Sequence, residues 1–241
     1  IGVVGENSNV QIVREQDSLD NFQILSSGYA QSKWVAEKLV AIARERGLPV
    51  SIYRPGGISG HSKTGACNTM DLTYRTIKGC IQLGSISDRD IKLDLSPVDY
   101  VSQAIVHLSR GQELLGKTFH LVNPQPLPLS EMANYMRSLG YPIERVSDTQ
   151  WRSQLLNEGN SPDNALYPLL SIFSEEVSDR DSQSQDSSIQ FDCQNTLTGL
   201  TGTSIVCPPV DTKLLHTYFS YLIQTGFLNP PPLPTQTSNK N

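Results

Sequence analysis

Paired cysteines are missing from this sequence: Cys67, Cys80, Cys193 and Cys207 lie far apart, with no CxxC pair and no histidine at zinc-ligand spacing beside them. That argues against a zinc ribbon or a disulfide scaffold and predicts reduced core thiols in a cytoplasmic protein. Long apolar runs are missing too. The longest, Leu48–Tyr53 and Ile205–Val210, fall far short of the roughly 20 residues a bilayer-spanning helix needs, so no membrane span is expected. There is no excess of positive charge. A net charge of -5 and a pI near 5.4 provide no basic surface for nucleic acid or an anionic membrane, and neither is an expected partner. The opening Ile1–Gly5 carries no Met, no basic segment and no cleavage-like site, and reads as an internal start instead of a signal peptide. His61, His107, His120 and His216 show no mutual spacing for a metal or a nucleophile triad and read as surface or core residues, although His61, in the loop after Gly60, could touch substrate.

With 37% hydrophobic residues, the 241-residue chain can form one substantial core and a smaller lobe. Gly28–Arg46 has helix formers and no Pro. Val35, Leu39 and Ile42 recur in it as one apolar stripe, and Gly47 stands at the cap. A buried strand, Pro49–Arg54, follows and stops at Pro55-Gly56-Gly57. Ile91–Leu95 reads as a second strand, running into Ser96-Pro97-Val98-Asp99, where Ser is expected as N-cap, Pro at the first helical position and Asp99 in a capping box. Val98, Val101, Ile105 and Leu108 are its expected buried stripe, and Lys117–Val122 is a further strand. The expected architecture is α/β, a parallel sheet covered by helices. Beyond Asn123 the composition shifts. Pro124, Pro126 and Pro128 lead to helical stretches at Ser130–Leu139, Thr149–Asn157 and Asp211–Gln224, the last with Leu214, Leu215, Tyr218 and Leu222 on one side. Glu175–Ser188 reads as a surface loop, and Asn229–Asn241 as a Pro-rich polar tail. The expected divisions are 1–124, 125–228 and 229–241.

Tyr29 and Lys33 stand four apart at the start of the first helix, so both side chains leave one face about a turn apart. An ammonium beside a phenol favours its charged form and equips it to give or take a proton beside a carbonyl. A bare YxxxK also arises by chance on solvated helices. Here it is embedded in Gly28-Tyr29-Ala30-Gln31-Ser32-Lys33-Trp34-Val35-Ala36-Glu37, a string that closely resembles the active-site helix of thioester reductase domains. These belong to the extended short-chain dehydrogenase/reductase superfamily. Tyr53-Arg54-Pro55-Gly56-Gly57-Ile58-Ser59-Gly60 resembles the loop of that superfamily that lines the nicotinamide, and Ser96–Val101 resembles the last helix start of its sheet, where Asp99 is read as structural.

The resemblance is dense as far as Val122 and continues in layout to Leu214–Pro231. It implies a partial Rossmann-like, doubly wound parallel sheet over residues 1–124, the carboxy-terminal half, with a small, mainly helical substrate-binding lobe over 125–228. It also implies catalytic Tyr29 and Lys33, Lys33 reaching a sugar hydroxyl of the cofactor, and Pro55, Gly56, Gly57 and Ile58 joining both in holding NADPH, or NADH in its place. The reaction implied is reductive release, as an aldehyde, of an acyl or peptidyl thioester held on a phosphopantetheinyl carrier domain of a nonribosomal peptide or polyketide synthase. A second hydride gives an alcohol. No glycine-rich phosphate turn is present, since Ile1–Gly5 lacks the spacing and is followed by polar, acidic sequence. The phosphate loop and the family's catalytic Ser or Thr are therefore expected upstream of Ile1, in the other half of the same domain. Ser26 and Ser27 are left unassigned, and the chain alone is expected to be inactive. Two rivals stand beside this reading: a nucleotide-sugar epimerase or dehydratase of the same fold, and a catalytically silent docking module of a synthase.

Overall fold

The computed structural model describes residues 1–3, 12–21, 27–170, 173 and 189–232. The order along the chain is β1 (Ile12–Val13), α1 (Gly28–Glu45), β2 (Ile52–Pro55), β3 (Ile58–Ser59), α2 (Leu72–Leu83), β4 (Ser85–Ser87), β5 (Lys92–Leu93), β6 (Ser96–Pro97), α3 (Val98–Leu108), β7 (Thr118–Leu121), β8 (Leu127–Pro128), α4 (Leu129–Ser138), β9 (Glu144–Val146), α5 (Asp148–Asn157) and β10 (Gln190–Phe191). Two further helices, Gln194–Gly199 and Thr212–Gln224, close it. The expected loop Glu175–Ser188, the tail beyond Pro232 and Ser26 lie outside the described residues.

Two compact units form, and neither is continuous in sequence. The first comprises Ile1–Ser62, Leu93–Pro126 and Ser187–Val210, and the second comprises Lys63–Lys92, Leu127–Asp186 and Asp211–Asn241. This differs from a sequential division at residue 124, and strand pairing supplies the reason. β1 takes the late segment β10 as its parallel neighbour, Ile12 opposite Gln190, while β4 pairs in parallel with β9, Ser85 opposite Glu144.

Within the first unit β2 runs parallel to β7, with Ile52 opposite Thr118 and Pro55 opposite Leu121, and β3 runs parallel to β6. Parallel neighbours need long crossovers, and helices α2 and α3 lie in the sequence between β2 and β7, and α2 in that between β3 and β6, as the α/β pattern requires. Tyr100, Val101, Ala104, Leu108, Leu114, Phe119, Leu121 and Leu200 form the core, and Tyr53 stacks on Phe119 with ring centroids 5.5 Å apart. Ser27 caps α1 by accepting the Ala30 N–H at 3.1 Å, and Gly47, at φ +93, takes the left-handed turn beyond the helix, where a side chain would be strained.

The expected start of α3 fails. Ser96 and Pro97 are strand β6, α3 begins at Val98, and Pro97 at its N-cap supplies no side-chain bond. The reason is competition. Ser96 Oγ donates to Asp94 Oδ1 at 2.7 Å, and the Asp99 carboxylate, instead of closing a capping box, accepts the N–H and hydroxyl of Ser62 at 2.8 and 2.6 Å. Those bonds hold Asp99 below the ordinary carboxylate range despite an opposing effect of burial. The buried face of α3 is Tyr100, Val101, Ala104 and Leu108, with Val98 exposed. Helix α1 buries none of its residues: Val35, Leu39 and Ile42, its apolar stripe, are 50%, 63% and 41% exposed. Another side of the helix faces the unit, tied down by polar groups. Trp34 Nε1 donates to the Leu19 carbonyl at 3.1 Å, Arg44 to the Gly116 carbonyl at 2.9 Å, and Glu37 pairs with Arg54.

The second unit is mainly helical. α4 buries Met132, Ala133, Tyr135 and Met136, and helix Thr212–Gln224 buries Leu214, Leu215, Tyr218, Phe219 and Leu222 behind its Asp211 cap. The Tyr135 and Phe219 rings meet edge to face at 5.3 Å. The tail's first residues are anchored, for Leu228 is buried and Tyr141 Oη donates to the Asn229 carbonyl at 2.6 Å. Helix α2, capped by Asp71 and stopped at left-handed Gly84, has no counterpart among the elements expected from sequence. Its Gly79 has no room for a Cβ, which would stand 2.2 Å from Leu166 Cγ.

Candidate active site

The first turns of α1 present Tyr29, Lys33 and Glu37 four residues apart, so all three share one face. Lys33 Nζ lies 5.7 Å from the centroid of the Tyr29 ring, and the ring is 67% exposed. Phenol and ammonium are thus neighbours with open access. They wall a cavity of about 370 Å³, together with Ile1–Val3, Ala36, Val40 and Ser51–Pro55. Gly2 stands against the Tyr29 ring, where a Cβ would come within 3.1 Å of Cε1.

Of the expected site residues, Tyr29, Lys33 and Pro55 meet at this cavity, whereas Gly56, Gly57 and Ile58 are not among its lining residues. Those three continue the chain from β2 into β3. The Gly56 N–H donates to the Leu121 carbonyl at 3.1 Å, and the Gly57 carbonyl accepts the Ser96 N–H at 2.9 Å. Both glycines are required by a residue that sequence reasoning passed over. A Cβ on Gly56 would stand 1.7 Å from Asp94 Oδ2, and one on Gly57 2.2 Å from the Asp94 carbonyl oxygen. Asp94 Oδ1 also accepts the Asn123 N–H at 3.0 Å. Burial pushes its carboxyl above the ordinary carboxylate range, against the opposing pull of these hydrogen bonds.

Beneath the cavity lies a buried polar chain. Arg54, 5% exposed, donates from Nε to Glu37 Oε1 at 3.0 Å and from a terminal nitrogen to the same carboxylate, while its other terminal nitrogen lies 3.1 Å from His120 Nε2. His120 Nδ1 stands 2.8 Å from the Asp192 carbonyl. A ring that donates there from Nδ1 has Nε2 free to accept from Arg54, so the arrangement assigns a neutral imidazole. Burial, seconded by the Arg54 charge, pushes His120 down to about 4. Glu15, also buried, accepts the backbone N–H of His120 at 2.8 Å and of Thr196 at 3.2 Å, thereby capping helix Gln194–Gly199. The signal for Glu37 was present in the sequence, one more step of four beyond Lys33. For Glu15 no local pattern exists, because its partners are over 100 residues away.

Comparison with known proteins adds the family. The sequence profile of an NAD-binding family described as male sterility protein matches residues 4–105. A linear gramicidin synthase polypeptide of Brevibacillus parabrevis is 36% identical over 219 residues, 90% of this chain and 4% of that protein. The L-2-aminoadipate reductase large subunit of Eremothecium gossypii is 30% identical over 232 residues, 94% of this chain and 16% of that protein. The crystal structure of the terminal R domain from the myxalamid PKS-NRPS biosynthetic pathway superposes with a TM-score of 0.85 at 46% identity, covering 96% of this chain and 58% of that one. The chain belongs to the thioester reductase domains.

As a thioester reductase domain it has the partial Rossmann-like α/β fold, and it spans under two thirds of the relatives it matches. Epimerases of this superfamily are similar in fold alone, at 17% identity or below. The NAD-binding character of the family supports a nicotinamide cofactor. The residues present fit one end of such a group: an open cavity with a phenol, an ammonium and a backbone wall kept close to the phenol by Gly2. Among the described residues no helix is long and apolar enough to cross a membrane, and no cluster of His, Cys, Asp or Glu could hold a metal ion.

Proposed function

We propose that the protein containing this chain reduces an acyl or peptidyl thioester, held on a phosphopantetheinyl carrier domain, to an aldehyde with NADPH in the cytoplasm. The observation that carries the reading is the exposed Tyr29 phenol with the Lys33 ammonium 5.7 Å from its ring, on the wall of a cavity that also reaches Pro55. Tyr29 and Lys33 are assigned as catalytic, and Tyr29, Lys33 and Pro55–Ile58 as the residues that hold the nicotinamide end of the cofactor. In this assignment the first unit binds the cofactor and the second forms the acyl-binding lobe.

Bound there, the cofactor would supply the hydride. Tyr29 acts from the protein side, its hydroxyl giving a hydrogen bond and then a proton to the thioester oxygen as negative charge develops on it; the thiohemiacetal then breaks its C–S bond, releasing the aldehyde and, with the hydroxyl proton, the carrier thiol. Lys33, with its positive charge beside the phenol, would hold a ribose hydroxyl of the cofactor. A silent docking module has no use for an exposed phenol beside an ammonium, and for that reason the catalytic reading is preferred. The test is Tyr29→Phe in the full-length protein, assayed with a carrier-bound acyl thioester and NADPH, with aldehyde measured by mass spectrometry. Near-normal turnover by a folded variant would remove the assignment.

A further inference from the structure

The buried ion pair below the cavity joins the two parts of the site that must keep a fixed separation. Glu37 is the third member of the Tyr29, Lys33, Glu37 series, and Arg54 immediately precedes Pro55, the residue from which the chain turns into Gly56–Ile58. Their side chains are 10% and 4% exposed. Arg54 is fixed from both sides, through Nε and one terminal nitrogen to Glu37 and through the other to His120, whose ring is itself held at the Asp192 carbonyl. A planar fork satisfied at both ends permits little rotation or translation, unlike the point charge of a lysine.

We propose that Glu37 and Arg54 are positioning residues for the reduction: their pair fixes the distance between the Tyr29/Lys33 face of α1 and the Pro55–Ile58 loop. This rests on the reading of Tyr29 and Lys33 above, and it adds two residues that act through their hold on α1 and β2. Three features support a positioning role over a purely stabilising one. Apart from Trp34, which packs on Val3, Val13 and Leu19, α1 has no apolar anchor, and of the polar ties named above only Glu37–Arg54 joins it to β2 at the wall of the cavity. Both residues also line the cavity, and a shift in either moves its wall. The loop is registered on Asp94 and Leu121, which leaves the α1 side as the adjustable partner.

The test uses the full-length protein with Arg54→Lys, which keeps the charge but loses the fork, and Glu37→Gln, which keeps the shape but loses the charge. Misplacement by about an ångström lowers single-turnover reduction ~10- to 100-fold. Cofactor dissociation constants measured by titration are expected to move only about threefold, a rate effect without a matching binding effect. Without cofactor, amide hydrogen exchange at Gly56 is expected to accelerate in both variants. Leu108→Ala, in the core of the same unit, is the control, losing stability but keeping the single-turnover rate of its folded fraction. Wild-type rates and exchange in Arg54→Lys and Glu37→Gln overturn the proposal, as does an equal rate loss in Leu108→Ala. If one variant fails to fold, the other decides, and if neither folds the pair is a stability element and the proposal falls. Full activity of Tyr29→Phe in the same assay strikes the site reading instead, and the exchange data then judge the strut separately.

Discussion

Helices α1 and Thr212–Gln224 differ in how they are held, although each looks amphipathic in sequence. The later helix buries five side chains, Leu214, Leu215, Tyr218, Phe219 and Leu222, whereas α1, five residues longer, buries none and is tied by directed contacts from Trp34, Glu37 and Arg44. Apolar burial is strong and non-directional, so it fixes that a helix stays without fixing its rotation closely. Ion pairs and hydrogen bonds add less net stability, yet they specify geometry. A helix that carries a phenol and an ammonium to a cavity needs the second kind of attachment more than the first.

The sharpest way to separate the two kinds is to compare chemistry with stability. Tyr29→Phe removes one exposed hydroxyl, and turnover is expected to fall by roughly 10²- to 10⁴-fold, the range typical of lost proton transfer, with an unchanged melting temperature. Leu222→Ala makes the opposite change. Leu222 is fully buried, and truncating it is expected to cost about 2–5 kcal/mol in urea unfolding. A loss under about 1 kcal/mol would show that the helix is not held by its apolar face.

How much of this could be read in advance follows the same division. Local patterns were legible: the helices at Gly28–Glu45, Leu129–Ser138 and Asp148–Asn157 and the strands Ile52–Pro55 and Thr118–Leu121 lie close to where periodicity and breakers put them. The Tyr29/Lys33 pair was visible because four-residue spacing on a helix is itself a spatial statement. Long-range partners were not. Nothing near Ser96 announces that Asp94 captures its hydroxyl, and nothing near Gly56 announces that Asp94 fills the space a Cβ would need. Arg54 read as part of a loop motif, yet its partners Glu37 and His120 come from 17 and 66 residues away. The stripe Val35, Leu39, Ile42 was legible as an apolar face, but periodicity does not show which face the unit covers.

The polar chain under α1 should make stability depend on pH in a window that apolar burial does not produce. His120 faces Arg54, the Asp192 carbonyl and the edge of Phe191, with Glu15 on its backbone N–H, and it is pushed from 6.5 down to about 4. Because the folded value lies below the unfolded one, the unfolded chain takes up the proton first. Stability is therefore complete above about pH 6.5 and declines as pH falls toward 4. Between about pH 6.5 and 5, before most carboxylates titrate, the expected loss is on the order of 1–2 kcal/mol. Urea unfolding across that range should show the slope in the wild type and lack it in His120→Asn, whatever that variant's absolute stability. An equal slope in both would mean that His120 is not held neutral.

The smallest expected effect is at Leu39, the most exposed member of the α1 stripe at 63%. If this face meets only water, Leu39→Ala removes little buried area, and the helix propensity of alanine offsets what is lost, so the change should stay within about 0.5 kcal/mol. The same substitution at Leu222 is predicted to cost several times more, and the ratio of the two is the comparison in numerical form. The measurement should be made twice, on this chain and on the full-length protein, by urea unfolding under identical conditions. Near-neutral values in both leave α1 as a helix held by Trp34 and the polar ties of its other face. A cost of about 2 kcal/mol or more in the full-length protein, with none in this chain, would place an apolar surface from outside the chain over Val35, Leu39 and Ile42. Such a result would return α1 to the same class as the later helix and remove the ground for treating the Glu37–Arg54 pair as its principal anchor.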